Sequence, residues 1–241
     1  MLFRQLFDHQ SSTYTYLIAD EDTHEALLID SVLEQADRDL TLIAQLGLGL
    51  VAVLDTHVHA DHITAAGLLR ERTGAKTIAG RSGAPCADRL VDPGELIAVG
   101  SVTLRVLATP GHTDDSVSYL LLDSRDPRLP GDRVFTGDAL LIRAAGRTDF
   151  QNGDAGALYD SITQQLFSLP DATLVYPAHD YLGRTVSTVA EEKRWNERIA
   201  GRSREQFVAL MNALDLPQPA RIREAVSANQ ACGQAPAPVQ G

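Results

Sequence analysis

The sequence predicts an α/β fold in which two β-sheets pack face to face with helices on the outside. Two observations carry this expectation. Short runs rich in β-branched and apolar residues alternate with stretches of helical periodicity, and the order of strands, helix, strands and helices comes round twice. Five of the seven histidines fall at the C-terminal ends of predicted strands, where a scaffold presents side chains to a crevice. The duplication lies in the order of elements and not in a repeated sequence.

The first half begins with strands "TYTYLIAD" (13–20) and "EALLID" (25–30). A helix over 34–46 sets Leu40, Ile43 and Ala44 on one face and stops at Gly47. Strand "LVAVLDT" (50–56), a helix over 61–73 ending at Gly74, and strand "KTIAG" (76–80) complete it. The second half opens with a hairpin over 96–109, broken at Gly100-Ser101, then strands 116–123 and 133–140. A helix over 155–168 stops before Pro170, strand "TLVYPAHD" (173–180) follows, and helices near 187–200 and 203–214 close the chain. We expect a single domain over 1–233 and a flexible tail over 234–241, where the low-complexity "QAPAPVQG" reads as a frayed end.

Composition limits the function classes. With 21 basic and 32 acidic residues the net charge is −11, which argues against a broad basic face and hence against nucleic acid as a partner. An anionic small substrate would therefore need a local group of arginines. The two cysteines, Cys86 and Cys232, are far apart and in no C-x-x-C arrangement, which predicts no disulfide framework and fits a reducing compartment. The N-terminal stretch has no apolar h-region and no run reaches membrane-spanning length, so the expectation is no membrane contact and a cytoplasmic location.

The chemistry sits in "THVHADH", which places His57, His59, Asp61 and His62 within six positions. Packing three imidazoles and a carboxylate together without an ion would leave competing donors and repulsion on protonation. His112 follows the rigid Pro110-Gly111 turn, Asp138 follows Gly137 in "FTGDALL", and His179 stands in "PAHDY". His and carboxylate ligands together are a divalent-metal set. His9 and His24 stand alone and are expected as hydrogen-bonded core histidines.

"THVHADH", "TPGHT", "TGDALL" and "PAHDY" resemble, in order and spacing, the metallo-β-lactamase superfamily. That resemblance implies an αββα sandwich of two mixed β-sheets flanked by helices, with the metal at one edge. In its dinuclear branch one zinc would take His57, His59 and His112, the other Asp61, His62 and His179, and Asp138 would bridge. That arrangement runs hydrolysis, as in a hydroxyacylglutathione hydrolase of the glyoxalase II type. In a second branch only His57, His112 and Asp138 hold a single Fe(II), two His and one carboxylate with open positions opposite. His59, Asp61, His62 and His179 then form a hydrogen-bonded shell behind the ligands.

Segments outside the ligand motifs resemble the persulfide dioxygenase family, the ETHE1-like sulfur dioxygenases. They are "LFRQLFDHQSSTYTYLIAD", "FTGDALLIRAAGRTDFQNGD", "PAHDYLGRTVSTVAEEKRWNERI", "MNALDLPQP" and "AVSANQACG", and they span nearly the whole chain. "GRTDFQ", just after the Asp138 loop, discriminates best. The resemblance implies oxidation of glutathione persulfide by O2 to sulfite and glutathione, with one Fe(II) per chain. It points to Tyr181 and Arg198 as glutathione contacts, with Tyr181 counted among the catalytic group. Arg147 would either line the pocket or brace the Asp138 loop through Asp149. "RWNER" departs from the family pattern and would bring Trp195 and Glu197 near the substrate wall. The other readings are the dinuclear zinc thioesterase and a non-catalytic metal-binding regulatory protein. A homodimer through apolar surface on the C-terminal helices is also expected.

Overall fold

The computed structural model describes residues 1–123, 126–219 and 221–234. The first sheet comprises β1 (Leu2–Asp8), β2 (Thr13–Ala19), β3 (Glu25–Ile29), β4 (Gly49–Leu54), β5 (Lys76–Gly80) and β6 (Arg89–Val91), hydrogen-bonded in that order. Strands β1 to β3 are antiparallel neighbours, and β3 to β6 are parallel. The second sheet comprises β7 (Leu96–Val99), β8 (Val102–Ala108), β9 (Val117–Asp123), β10 (Asp126–Gly137), β11 (Leu174–Pro177) and β12 (Ser187–Thr188). Its order is β12-β11-β10-β9-β8-β7, and only the β10–β11 pair is parallel. Both sheets are thus mixed, as expected.

Parallel neighbours need crossover connections, and these place helices on the outer faces. Helices α1 (Ala36–Gln45) and α2 (Ala66–Thr73) join β3 to β4 and β4 to β5, and they cover Leu17, Leu28 and Val53 on the outside of the first sheet. Helix α3 (Ala155–Asp160), continued by a π-helical turn over Ser161–Leu166, lies outside the second sheet with α5 (Arg204–Asn212). Between the sheets, Tyr16, Leu27, Leu54, Leu104, Val106, Tyr119 and Phe135 form a third apolar layer. The layers read α, β, β, α. Helices α4 (Val189–Trp195) and α6 (Ile222–Asn229) complete the described chain, and no described helix is long and apolar enough to cross a membrane.

Local differences from expectation have physical causes. The helix expected over 61–73 begins only at Ala66, because the Thr64 and Ala65 amides donate to Asn229 Oδ1 and Ser31 O instead of to a preceding turn. The strand expected over 133–140 ends at Gly137, whose φ of +52° turns the chain. The helix expected over 187–200 is shorter: Ser187–Thr188 pairs with β11 and Asn196 leaves the helix in an extended conformation. Strand β1 escapes sequence reading since most of its residues are half-buried, so no alternation appears. Apart from Gln234, the expected tail over 234–241 lies outside the described residues.

Two expectations are overturned. Cys86 and Cys232 are joined in a disulfide across 146 residues of sequence, so the argument from their separation to a reducing compartment falls. Sequence distance does not bound spatial distance, and the last helix folds back beside the β5–β6 connection. His9 and His24 are exposed and not core: His9 stands edge-on to the Phe7 ring, and His24 adopts φ +58° before β3.

Candidate metal centre

The loops after β4, β8, β10 and β11 all open at one edge of the sandwich, and they bring together every histidine of the expected set. Backbone hydrogen bonds stitch the two sheets on either side of this edge, Tyr14 N to Ala178 O at 2.7 Å and Val117 N to Thr56 O at 2.9 Å. His57, His59, His62, His112 and His179 are each no more than 5% exposed, and Asp138 is 9% exposed.

Donor atoms of His57, His112 and Asp138 lie within 4.8 Å of one another, and so do those of His59, Asp61 and His62. The first group is held by a chain of fixed protons. Thr56 donates its hydroxyl proton to Asp30 Oδ2 at 3.0 Å, so its oxygen accepts from His57 Nδ1–H, also at 3.0 Å. His112 Nδ1–H donates to Arg147 O at 2.6 Å. Both rings therefore keep Nε2 as the free lone pair, the arrangement a metal-binding imidazole needs. Burial, with His59 and His112 alongside, holds the His57 pKa well below its usual value, so His57 is neutral.

Asp138 faces His112 Nε2 at 3.7 Å through Oδ2, while Oδ1 accepts from His179 Nδ1 at 2.7 Å. Burial alone would raise the Asp138 pKa, but the charged His179 that donates to Oδ1 holds it well below the carboxylate range. His179 donates its other proton to Asp61 Oδ2 at 2.8 Å. Burial opposes its charge, yet the carboxylates of Asp138 and Asp61 raise its pKa well above normal. His62 Nδ1 shares Asp61 Oδ2 at 3.1 Å. His59 Nε2 meets Asp30 Oδ1 at 3.1 Å, and that pairing, against burial, lifts its pKa to about 9. Two buried nitrogens, His59 Nδ1 and His62 Nε2, have no hydrogen-bond partner among the described residues.

Glycines let the loops approach. A Cβ on Gly137 would stand 2.6 Å from Thr56 Oγ1, and one on Gly146 would stand 2.2 Å from Asp138 O and 2.9 Å from His112 Nδ1. The "GRTDFQ" segment closes around the ligands: Gly146 N donates to Asp138 O, Arg147 O orients His112, and Gln151 Nε2 donates to Val58 O at 2.7 Å.

A cavity of about 540 Å³ opens over Asp61, His112 and Asp138, walled by Leu141, Ala145, Phe150, Tyr181, Arg198 and Leu216 among others. Arg147 borders it but is spent on structure: it is bidentate to Asp149 at 2.7 and 2.6 Å and also donates to Leu216 O and Pro217 O. Both placements weighed for Arg147 are met: it lines the cavity, and it pairs with Asp149. Arg198 is half-buried, donates to Ala145 O at 2.6 Å, and has no ion pair among the described residues; burial lowers its pKa. Tyr181 stacks on His179 with ring centroids 6.1 Å apart, is 69% exposed, and its hydroxyl has no protein hydrogen bond among the described residues. Trp195 and Glu197 do not border the cavity; Trp195 takes the guanidinium groups of Arg143 and Arg194 on its face.

Sequence reading missed Asp30, Thr56, Asp115, Gln151 and Asn229. Asp115 accepts from Val58 N at 2.8 Å, between two ligand-motif histidines. Asp30 adopts φ +54°, an uncommon conformation for a non-glycine residue, to reach Thr56 and His59. Thr56 and Asp115 adjoin the histidine motifs and were within reach; Asp30 and Asn229 carry no spacing signal.

Known proteins resemble this chain in sequence and fold. The sequence profile described as the Metallo-beta-lactamase superfamily matches residues 10–85 and 87–179. "Persulfide dioxygenase ETHE1, mitochondrial" of Homo sapiens is 47% identical over 97% of this chain and 89% of its own length, and the Bos taurus protein of that name matches to the same extent. A crystal structure of ETHE1 from Myxococcus xanthus superposes with a TM-score of 0.93 at 62% identity, covering 97% of this chain and 100% of that one. With two mixed sheets, a histidine-rich edge and relatives of this closeness, the chain belongs to the metallo-β-lactamase superfamily and, within it, to the ETHE1 persulfide dioxygenase family.

Proposed function

We propose that this chain is a non-heme iron persulfide dioxygenase that oxidises glutathione persulfide with O2 to sulfite and glutathione. One Fe(II) per chain is held by His57, His112 and Asp138. The observation that carries the reading is the convergence of these three donors, two imidazoles with free Nε2 atoms and one ionised carboxylate, beneath a cavity large enough for a tripeptide thiol. Iron bound there would supply the redox chemistry that couples persulfide oxidation to O2.

The chain's own residues orient and enclose. Thr56 and Arg147 O fix the ring tautomers of His57 and His112, and His179 occupies Asp138 Oδ1 so that Oδ2 is the oxygen turned toward His112. His59, Asp61, His62 and His179 form the hydrogen-bonded layer behind the ligands. Arg198, a cation on the cavity wall with no ion pair among the described residues, anchors one glutathione carboxylate, and the Tyr181 hydroxyl offers a second polar contact. Leu141, Ala145, Phe150 and Leu216 exclude water around the sulfur.

The dinuclear zinc thioesterase is kept as a second reading because His59 Nδ1 and His62 Nε2 are buried without partners among the described residues, as ligands of a second ion would be. Metal analysis after anaerobic purification separates the two: one iron per chain is expected, and two zinc ions with thioester hydrolysis would replace this reading. A homodimer belongs to the proposal on the strength of exposed Trp195 and Leu216. A cytoplasmic location is retained without the support the cysteines had lent it.

A further inference from the structure

The "AVSANQACG" segment supplies no residue to the donor groups or the cavity wall, yet it grips the loop that carries His59, Asp61 and His62. Asn229, at the end of α6 and 3% exposed, donates through Nδ2 to His59 O at 2.9 Å and His62 O at 2.8 Å. Its Oδ1 accepts from Thr64 N at 2.9 Å. One carboxamide thus satisfies three backbone groups across the bend from His59 to Thr64, and only an amide offers two donors and an acceptor in that space. The hold is anchored from outside: Cys232, three residues on, is bonded to Cys86 in the β5–β6 connection, and its carbonyl accepts from Gly67 N at the start of α2.

We propose that Asn229 is a positioning residue for the metal centre and that the Cys86–Cys232 crosslink holds it in place. The bend it fixes carries Asp61, which pairs with His179, which pairs in turn with the inner oxygen of Asp138. Asp61 also walls the cavity, so the same bend sets ligand orientation and cavity shape together. The inference rests on the metal-centre reading above.

The test uses Co(II) as the probe, with its visible d–d bands reporting ligand geometry and an excess of chelator reporting the dissociation rate. Wild type, Asn229→Asp, Asn229→Gln and Cys86→Ala are compared. Asn229→Asp keeps an acceptor for Thr64 but turns a carboxylate on two carbonyl oxygens; it loses Co(II) at least about tenfold faster, with displaced d–d bands. Asn229→Gln recovers part of the loss, and Cys86→Ala shifts rate and spectrum in the same direction by a smaller factor. Wild-type rates and spectra in Asn229→Asp overturn the proposal whatever its melting temperature. Should that variant not fold, wild-type behaviour of both Asn229→Gln and Cys86→Ala overturns it equally. Failure of the wild type itself to bind Co(II) overturns the metal-centre reading, and the inference with it.

Discussion

Replacing Arg198 with methionine removes the cavity cation that has no carboxylate partner among the described residues, while keeping a side chain of similar length. The other cavity arginine, Arg147, is already neutralised by Asp149 and cannot substitute for it. A charge-assisted hydrogen bond is worth about 1.5–3 kcal/mol. Arg198 is only half-buried, so solvent screening argues for the lower part of that range, about 1.5–2 kcal/mol. At roughly 1.4 kcal/mol per factor of ten, KM for glutathione persulfide should rise about 10- to 30-fold. Arg198 reaches a remote carboxylate and not the reacting sulfur, so its contribution is equal in ground and transition states and kcat should hold. Initial rates of O2 consumption against persulfide concentration measure both parameters, and Arg198→Lys should recover part of the KM. The variant also gives up the bond to Ala145 O, so a thermal melt accompanies the kinetics. An unchanged KM, or a fall in kcat at unchanged KM, would refute the assignment of Arg198 as the anchor.

Three further outcomes follow from the geometry. His59→Ala should retain most of its iron when metal is supplied in excess, since His59 lies behind the ligand group; losing the iron outright would identify His59 as a direct ligand. Gly137→Ala forces a side chain into φ +52° and onto Thr56, at a cost above about 2 kcal/mol; melting should drop by several degrees and metal retention fall with it. For metal-free protein, His179 has a folded pKa raised above 6.5, so its stabilising contribution is complete below that pH and is lost as pH rises through the folded value. Asp138 and Asp61 are depressed below 3.8, so theirs is complete above that pH and lost in acid. Melting of the metal-free chain should therefore decline from pH 6 toward pH 9, and His179→Gln should flatten that decline.

The site was legible because its ligands follow apolar strands, a pattern a linear chain displays openly. Most strands of both sheets and the cluster from His57 to His62 were readable on those terms, whereas β1, β6 and β12 were not. What escaped acts at a distance. Asp30 reaches Thr56 and His59 from 26 and 29 residues away through an unusual φ, and Asn229 reaches His59 from 170 residues away. Cys86 and Cys232 looked independent because nothing in their spacing encodes the return of α6 to the β5–β6 connection. His9 and His24 were misassigned for the opposite reason: an isolated histidine has no pattern from which burial can be inferred. The choice for Arg147 needed coordinates, since one carboxylate two residues away could not reveal that Leu216 O and Pro217 O absorb its remaining donors.

The central claim is that the histidine-rich edge holds one iron and uses O2 on a persulfide. Anaerobically purified chain, assayed for metal and then given glutathione persulfide in an oxygen electrode, tests it most directly. The account predicts one iron per chain and O2 uptake matched one-to-one by sulfite formed, both abolished by His112→Ala. Two zinc ions per chain, no O2 uptake and rapid thioester hydrolysis would contradict it.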